Sequence, residues 1–266
     1  MYKICSIVLV VLSVQLVATA APNWTLVWSD EFNYQGLPDP AKWDYEEGFV
    51  RNHEKQYYTR ERQENARVEN GMLVLECRKE NYTPAKHSPV AYTSASLVTR
   101  ENAGWLYGRI EVRAKLPQGK GVWPAIWTLG TNVQAVGWPA CGEIDLLEYV
   151  GKDPDLIHAT IHYAGEDGKH KMNHKQFTTE KPFNDFHVYA IEWFSDRIDF
   201  FFDNTKYQSV QLDKAGLGAE NPFRKPHKLL INLALGGSWG GEIEDAAANQ
   251  KYLIDYVRIY KDANAQ

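Results

Sequence analysis

Residues 107–116 set Arg109, Glu111, Arg113 and Lys115 in alternation with Ile110, Val112, Ala114 and Leu116. A period of two puts the charges on one face and the apolar groups on the other, which defines a half-buried strand. Strand-like runs recur at 72–78, 95–99, 158–163, 187–193, 197–202, 228–235 and 253–260. Asn70-Gly71, Pro117-Gln118-Gly119, Asp203-Asn204, Gly236-Gly237 and the glycine-bounded segment 165–168 break the chain between them. Only 244–251, where Asp245 precedes three alanines, favours a helix on propensity. No linker, repeat or low-complexity stretch interrupts the pattern. The expectation is an all-β antiparallel sandwich forming a single domain over 21–266.

Composition narrows the class. A chain that is 24% charged and 44% hydrophobic is neither disordered nor a multi-span membrane protein. Its net charge of −5 argues against a nucleic-acid partner, which selects a basic face. The first residues read as an export signal: Lys3, an apolar run from Ile7 to Val17, then Ala18-Thr19-Ala20, with cleavage before Ala21. The run is too short to span a bilayer comfortably, so the mature chain, 21–266, is expected to be secreted, periplasmic or at the cell surface, and monomeric. Removing the leader removes Cys5 and leaves Cys77 and Cys141, whose pairing the sequence does not decide. Asn23-Trp24-Thr25 and Asn81-Tyr82-Thr83 match the glycosylation pattern.

The chemistry concentrates in Gly142-Glu143-Ile144-Asp145-Leu146-Leu147-Glu148. A helix would scatter the three acids around its axis. On a strand, Glu143 and Asp145 share a face, and Glu148 joins them only if one extra residue, a β-bulge, falls at Leu146-Leu147. Glu143 and Glu148 then stand about four steps, or ~13 Å, apart at their Cα atoms. Inward-reaching side chains can close this to the ~5–5.5 Å carboxyl gap of a retaining glycosidase. Asp145 can orient the nucleophile and adjust the acid's pKa. Burying three like charges among apolar neighbours has no structural benefit and calls for a chemical one.

The 142–148 segment resembles the signature of glycoside hydrolase family 16 in the bulged form of its laminarinase-like members. The resemblance extends to the motifs at 27–33, 56–59, 107–109, 121–127 and 255–260. It implies a β-jelly roll of two curved sheets with a concave cleft, and retaining endo-hydrolysis of a polysaccharide. By position it implies Glu143 as nucleophile, Glu148 as acid/base and Asp145 as assisting acid. It further implies substrate roles for Trp239, Asn52, Glu54 and His162, and a structural calcium ion held by Glu31, Gly71 and Asp255. No cofactor is required for the chemistry.

Spacing adds Trp123 and Trp127, four apart and so on one face of a strand, as sugar-stacking rings. Trp24, Trp28 and Trp193 read as core, whereas Trp105 and Trp138 read equally as core or cleft. His158 and His162 have the spacing of a helical zinc protease, but Ala159 stands where its base belongs and the segment favours strand. Two departures from the family bear on linkage preference: Ser96 where relatives often carry a base, and Gly240 where the glycine-rich loop usually has proline.

The reading is therefore an endo-β-glucanase acting on β-1,3 and/or mixed β-1,3/1,4 glucan. Its alternatives are a non-catalytic glucan-binding protein, a hydrolase of agar or carrageenan, and a transglycosylase on the same fold.

Overall fold

The computed structural model describes residues 21–100, 104–216 and 218–264, so the expected leader lies outside the described residues. Two sheets face each other across one apolar core. The outer sheet runs Thr205–Gln211, Arg197–Phe202, His187–Trp193, Gly108–Lys115, Lys251–Asp262, Met72–Glu76 and Ala66–Glu69, and Trp24–Asp30 also pairs with Lys251–Asp262. The inner sheet runs His170–Thr178, Leu156–Ala164, Glu143–Glu148, Val122–Gly130, His227–Leu235, Ser96–Thr99 and Trp43–Tyr45. All pairings within these two sheets are antiparallel.

The alternation read from the sequence sets which side chains meet. In Gly108–Lys115, Ile110, Val112 and Ala114 are buried and the intervening charges are not. The central inner strand, Val122–Gly130, is buried on both faces. Val122 and Ile126 point into the main core, while Trp123, Ala125 and Trp127 form the opposite face. That second face is the floor of the concave side.

Three expectations are corrected. Residues 244–251 hold no α-helix: one 3-10 turn, Asp245–Ala247, precedes the strand Lys251–Asp262. Pairing of Lys251 with Glu76 and of Ile254 with Leu73 draws the chain into the sheet, so ladder hydrogen bonds override alanine propensity. The sandwich also carries a parallel element, Tyr57–Tyr58 beside Val90–Ser94, in a small third sheet completed by Arg78–Tyr82. Finally, Trp24 is not core. It is part-buried at the start of its strand, packs on Phe194 and donates its indole N–H to Glu192 at 3.2 Å. Trp193 is in the core, Trp28 packs against it, and Trp105 is buried with it.

Cys77 and Cys141 are both free and buried. Burial pushes their thiols up to about 12 and about 11, so neither is a reactive thiolate near neutrality. No helix among the described residues is long and apolar enough to cross a membrane.

Asp30 ties the edge of the sandwich together. It is 1% exposed and accepts hydrogen bonds from Trp43 Nε1 (2.9 Å), Tyr34 Oη (3.0 Å) and the Phe32 amide (3.2 Å), with Lys42 Nζ 3.4 Å away. Removing the carboxylate strands three donors in a dry site. Asp30→Ala should therefore cost about 2–4 kcal/mol of unfolding free energy in a urea titration. An unchanged midpoint and slope would refute this role.

Candidate active site

The site is built on the strand Glu143–Glu148. Gly142, at φ +78°, turns the chain into it, and a Cβ there would come within 2.7 Å of Pro222. The bulge lies where the sequence required it. Against Val122–Gly130, Leu147 pairs with Ile126 but Asp145 pairs with Trp127; against Leu156–Ala164, Asp145 pairs with Thr160 and Glu148 with His158. One residue of the strand is thus unmatched between Asp145 and Glu148, and both Leu146 and Leu147 are sunk in the core. Glu143, Asp145 and Glu148 consequently line the same hollow.

Two of the three carboxylates accept a hydrogen bond from an indole, and an imidazole stands close to the third. Trp138 Nε1 donates to Glu143 Oε2 (2.8 Å), Trp123 Nε1 donates to Glu148 Oε1 (3.1 Å), and His162 Nε2 lies 3.2 Å from Asp145 Oδ2 and 4.0 Å from Glu143 Oε1. Burial, then the charge of Asp145, pushes Glu143 up to about 8, with His162 and Trp138 pulling it back. Burial also raises Asp145. Glu148 goes furthest: burial, followed by the charges of Asp145 and Glu143, holds it well above the usual carboxylate range. Close like charges in a dry site cannot all ionise together, so protons are retained there at neutral pH.

Two adjoining hollows of ≈ 330 and ≈ 370 Å³ meet over these acids. The first is walled by Asn52, Glu54, Trp127 and Asn232, the second by His162, His174 and Trp239. Trp123 and Trp127 do share a face, but each is only 7% exposed and each indole N–H is committed, that of Trp127 to Asn232 Oδ1 at 2.8 Å. From Asn232 the chain continues through Nδ2 to Tyr58 Oη (3.0 Å) and from Tyr58 Oη to Glu54 Oε2 (3.1 Å). Glu54 also accepts from Gln56 and Asn52. Trp239, on the short helical turn Gly237–Gly240, meets Trp123 edge-on at 5.4 Å and His158 at 4.7 Å.

Sequence reasoning left Trp138 undecided and missed Arg51, Asn232 and His170. Trp138 is 51% exposed yet bonded to Glu143, a combination that only the loop fold reveals. The Arg51 guanidinium lies 4.8 Å from the Trp127 ring centroid and pairs with Glu46, which also accepts from the Ser96 hydroxyl at 2.6 Å. A base thus reaches the neighbourhood of Ser96 from position 51. Asn232 carried a readable signal, a lone amide within the otherwise apolar run 229–235.

Two possible ion positions differ in character. Donor atoms of Glu143, Asp145 and His162 lie within 4.8 Å of one another, but they contact each other directly and are not splayed around a cation. Glu31, Gly71 and Asp255 are neighbours in the register of the outer sheet, where two strands meet the same side of Lys251–Asp262. Asp30 pairs with Val257 where one strand ends, Ile254 pairs with Leu73 where another begins, and Asp255 lies between. There the Asp255 carboxylate bonds Arg113 at 2.6 Å and that of Glu31 bonds Arg258 at 2.8 and 2.9 Å. Backbone oxygens plus one carboxylate suit Ca²⁺, which must compete with Arg113 for Asp255.

A bulged strand carrying paired buried carboxylates at the floor of a jelly-roll cleft defines a glycoside hydrolase. The model of glycosyl hydrolases family 16 matches residues 53–258. A β-glucanase from Rhodothermus marinus is 45% identical over 255 residues, covering 91% of this chain and 86% of that protein. The crystal structure of the laminarinase from Rhodothermus marinus superposes with a TM-score of 0.82 at 44% identity, over 91% of this chain and 99% of that one. A variant of a non-specific endo-β-1,3(4)-glucanase, co-crystallised with 1,3-β-D-cellotriosyl-glucose, gives 0.82 at 42% identity, over 90% and 95% of the two chains. The chain belongs to glycoside hydrolase family 16, a family of retaining enzymes, and has its jelly-roll fold.

The Trp123–Glu148 bond yields a direct expectation. The indole N–H favours the carboxylate form of Glu148. Trp123→Phe should lower kcat about tenfold and move the alkaline limb of the pH–rate profile upward. An unmoved limb would show that the indole does not act on Glu148.

Proposed function

We propose that the protein is a secreted endo-β-glucanase that cleaves β-1,3 and mixed β-1,3/1,4 glucans with retention of configuration. The observation that carries this reading is the pair Glu143 and Glu148, on one bulged strand, each engaged by a tryptophan N–H at the floor of an elongated cleft. Support for the substrate comes from the relatives named above, and for export from the sequence of residues 1–20.

The environment of the acids supports the following steps. Glu148, kept protonated by burial and like charges, donates its proton to the leaving glycosidic oxygen while Glu143 attacks the anomeric carbon. Formation of the glycosyl ester removes the negative charge of Glu143, so the pKa of Glu148 falls and it becomes the base that takes a proton from water. Water then attacks the anomeric carbon and frees Glu143. Asp145, with His162 beside it, holds Glu143 in place. Trp123, Trp127, Trp239, Asn52 and Glu54 are the proposed sugar-binding wall.

Laminarin, mixed-linkage β-glucan, cellulose, xyloglucan, agarose and keratan sulfate digested side by side test the substrate. Oligosaccharides from the first two are expected. Activity confined to agarose or keratan sulfate would overturn the substrate class, and monosaccharide alone would contradict endo action. Glu143→Gln and Glu148→Gln should each abolish cleavage in a folded protein.

Stability supplies a second check. Glu143 has a folded pKa of about 8 against an ordinary 4.5. A raised folded pKa means stability is present in full below the unfolded value and is lost as pH rises toward 8. Glu143→Gln removes that loss. Its Tm should match the parent near pH 4 and exceed it by roughly 5 °C at pH 8. Equal Tm values at both pH values would refute the burial penalty.

We also infer structural calcium at Glu31, Gly71 and Asp255. A chelator should lower Tm by a few degrees and leave kcat unchanged below the transition, whereas Asp255→Ala should abolish the chelator's effect. A Tm insensitive to both calcium and chelator would exclude the ion.

A further inference from the structure

Two histidine pairs join the edge strand His170–Thr178 to its neighbour Leu156–Ala164. His162 Nδ1 and His170 Nε2 are 2.8 Å apart, and His158 Nδ1 and His174 Nε2 are 3.0 Å apart. Both pairs are diagonal across the ladder, since His162 lies opposite Met172 and His158 opposite Gln176. The rings are stacked at 5.1 and 5.2 Å. Only the first pair reaches the acids.

The proton count along that pair is restrictive. A neutral imidazole has one N–H and one acceptor nitrogen. If His162 Nε2 carries the hydrogen toward Asp145, its Nδ1 must accept, and the nitrogen facing Nδ1 is His170 Nε2. His170 must then be the Nε2–H tautomer. With that donor absent, His162 can move its hydrogen to Nδ1, and Nε2 then faces Asp145 lone pair to lone pair. The Trp138 ring, 4.8 Å from His170 and 6.0 Å from His162, packs over the pair from the loop that also supplies the Glu143 donor.

We propose that His170 is a positioning residue for the reaction: its Nε2–H fixes the His162 tautomer, so that His162 Nε2–H faces Asp145 Oδ2, which has no other hydrogen-bond partner, and thereby favours the ionised form of Glu143. The role rests on the glycosidase reading of the same site and concerns only how the nucleophile is kept charged. The edge strand thereby contributes to catalysis without touching substrate at this position.

The test compares His170→Gln with His170→Leu by the pH dependence of kcat/KM on laminarin, together with Tm. The charged and titratable groups facing the pair are Glu143, Asp145 and Glu148 on the strand beneath and His174 on the edge strand. Glutamine can still donate an N–H toward His162; leucine cannot. For His170→Leu the acid limb should rise by about half to one pH unit and kcat/KM should fall several-fold at pH 6, while KM and Tm change little. His170→Gln should restore most of the parent profile. An unmoved acid limb in His170→Leu, or a loss matched by a fall in Tm and equal in both variants, would overturn the proposal. Absence of cleavage by the parent protein on every glycan tested would instead defeat the underlying glycosidase reading.

Discussion

One unmatched residue between Asp145 and Glu148 governs the site. In an unbroken ladder Glu148 would point into the apolar core, where an acid has neither partner nor purpose. The bulge returns it to the face that holds Glu143 and Asp145, and turns Leu146 and Leu147 together into the core. The local distortion is thus held by side-chain burial beneath it, and the chemistry above depends on packing below.

The acids are held without neutralising them. Glu143 and Glu148 each accept a hydrogen bond from an uncharged indole, and the His162 ring stands beside Asp145. Among the described residues lining the two hollows, Arg51 is the sole arginine or lysine, and its charge is taken up by Glu46. A lysine or arginine beside Glu148 would pull its pKa down and remove the proton that burial holds there. The same logic explains why hydrogen bonds arrive through extended chains, such as Trp127 to Asn232 to Tyr58 to Glu54. They fix orientation while leaving charge uncompensated.

Much of this was legible in the chain because a period of two has a direct physical meaning. The strands His187–Trp193 and Arg197–Phe202 lie where the alternation set them, and the bulge followed from asking how three acids could share a face. What was not legible depended on context. His170–Thr178 is mostly polar and exposed, so it offers no apolar alternation even though it is a full strand pairing over its length with Leu156–Ala164. Trp138 and Arg51 sit in loops whose paths the sequence does not specify, and their partners are distant or set by a turn. The turn at Asp245–Ala247 shows the reverse failure, a strong local propensity overruled by the neighbouring strand. Of the residues given roles by resemblance, Asn52, Glu54, His162 and Trp239 line the cleft, while Glu31 and Asp255 meet arginines on the far sheet.

The two buried thiols have a consequence for how the molecule comes into being. Neither Cys77 nor Cys141 is cross-linked, and both are withdrawn from solvent in a form that resists oxidation. No disulfide among the described residues has to form before this structure is reached. The described fold can therefore be held in a reducing or an oxidising compartment alike, since none of its contacts is a sulfur–sulfur bond.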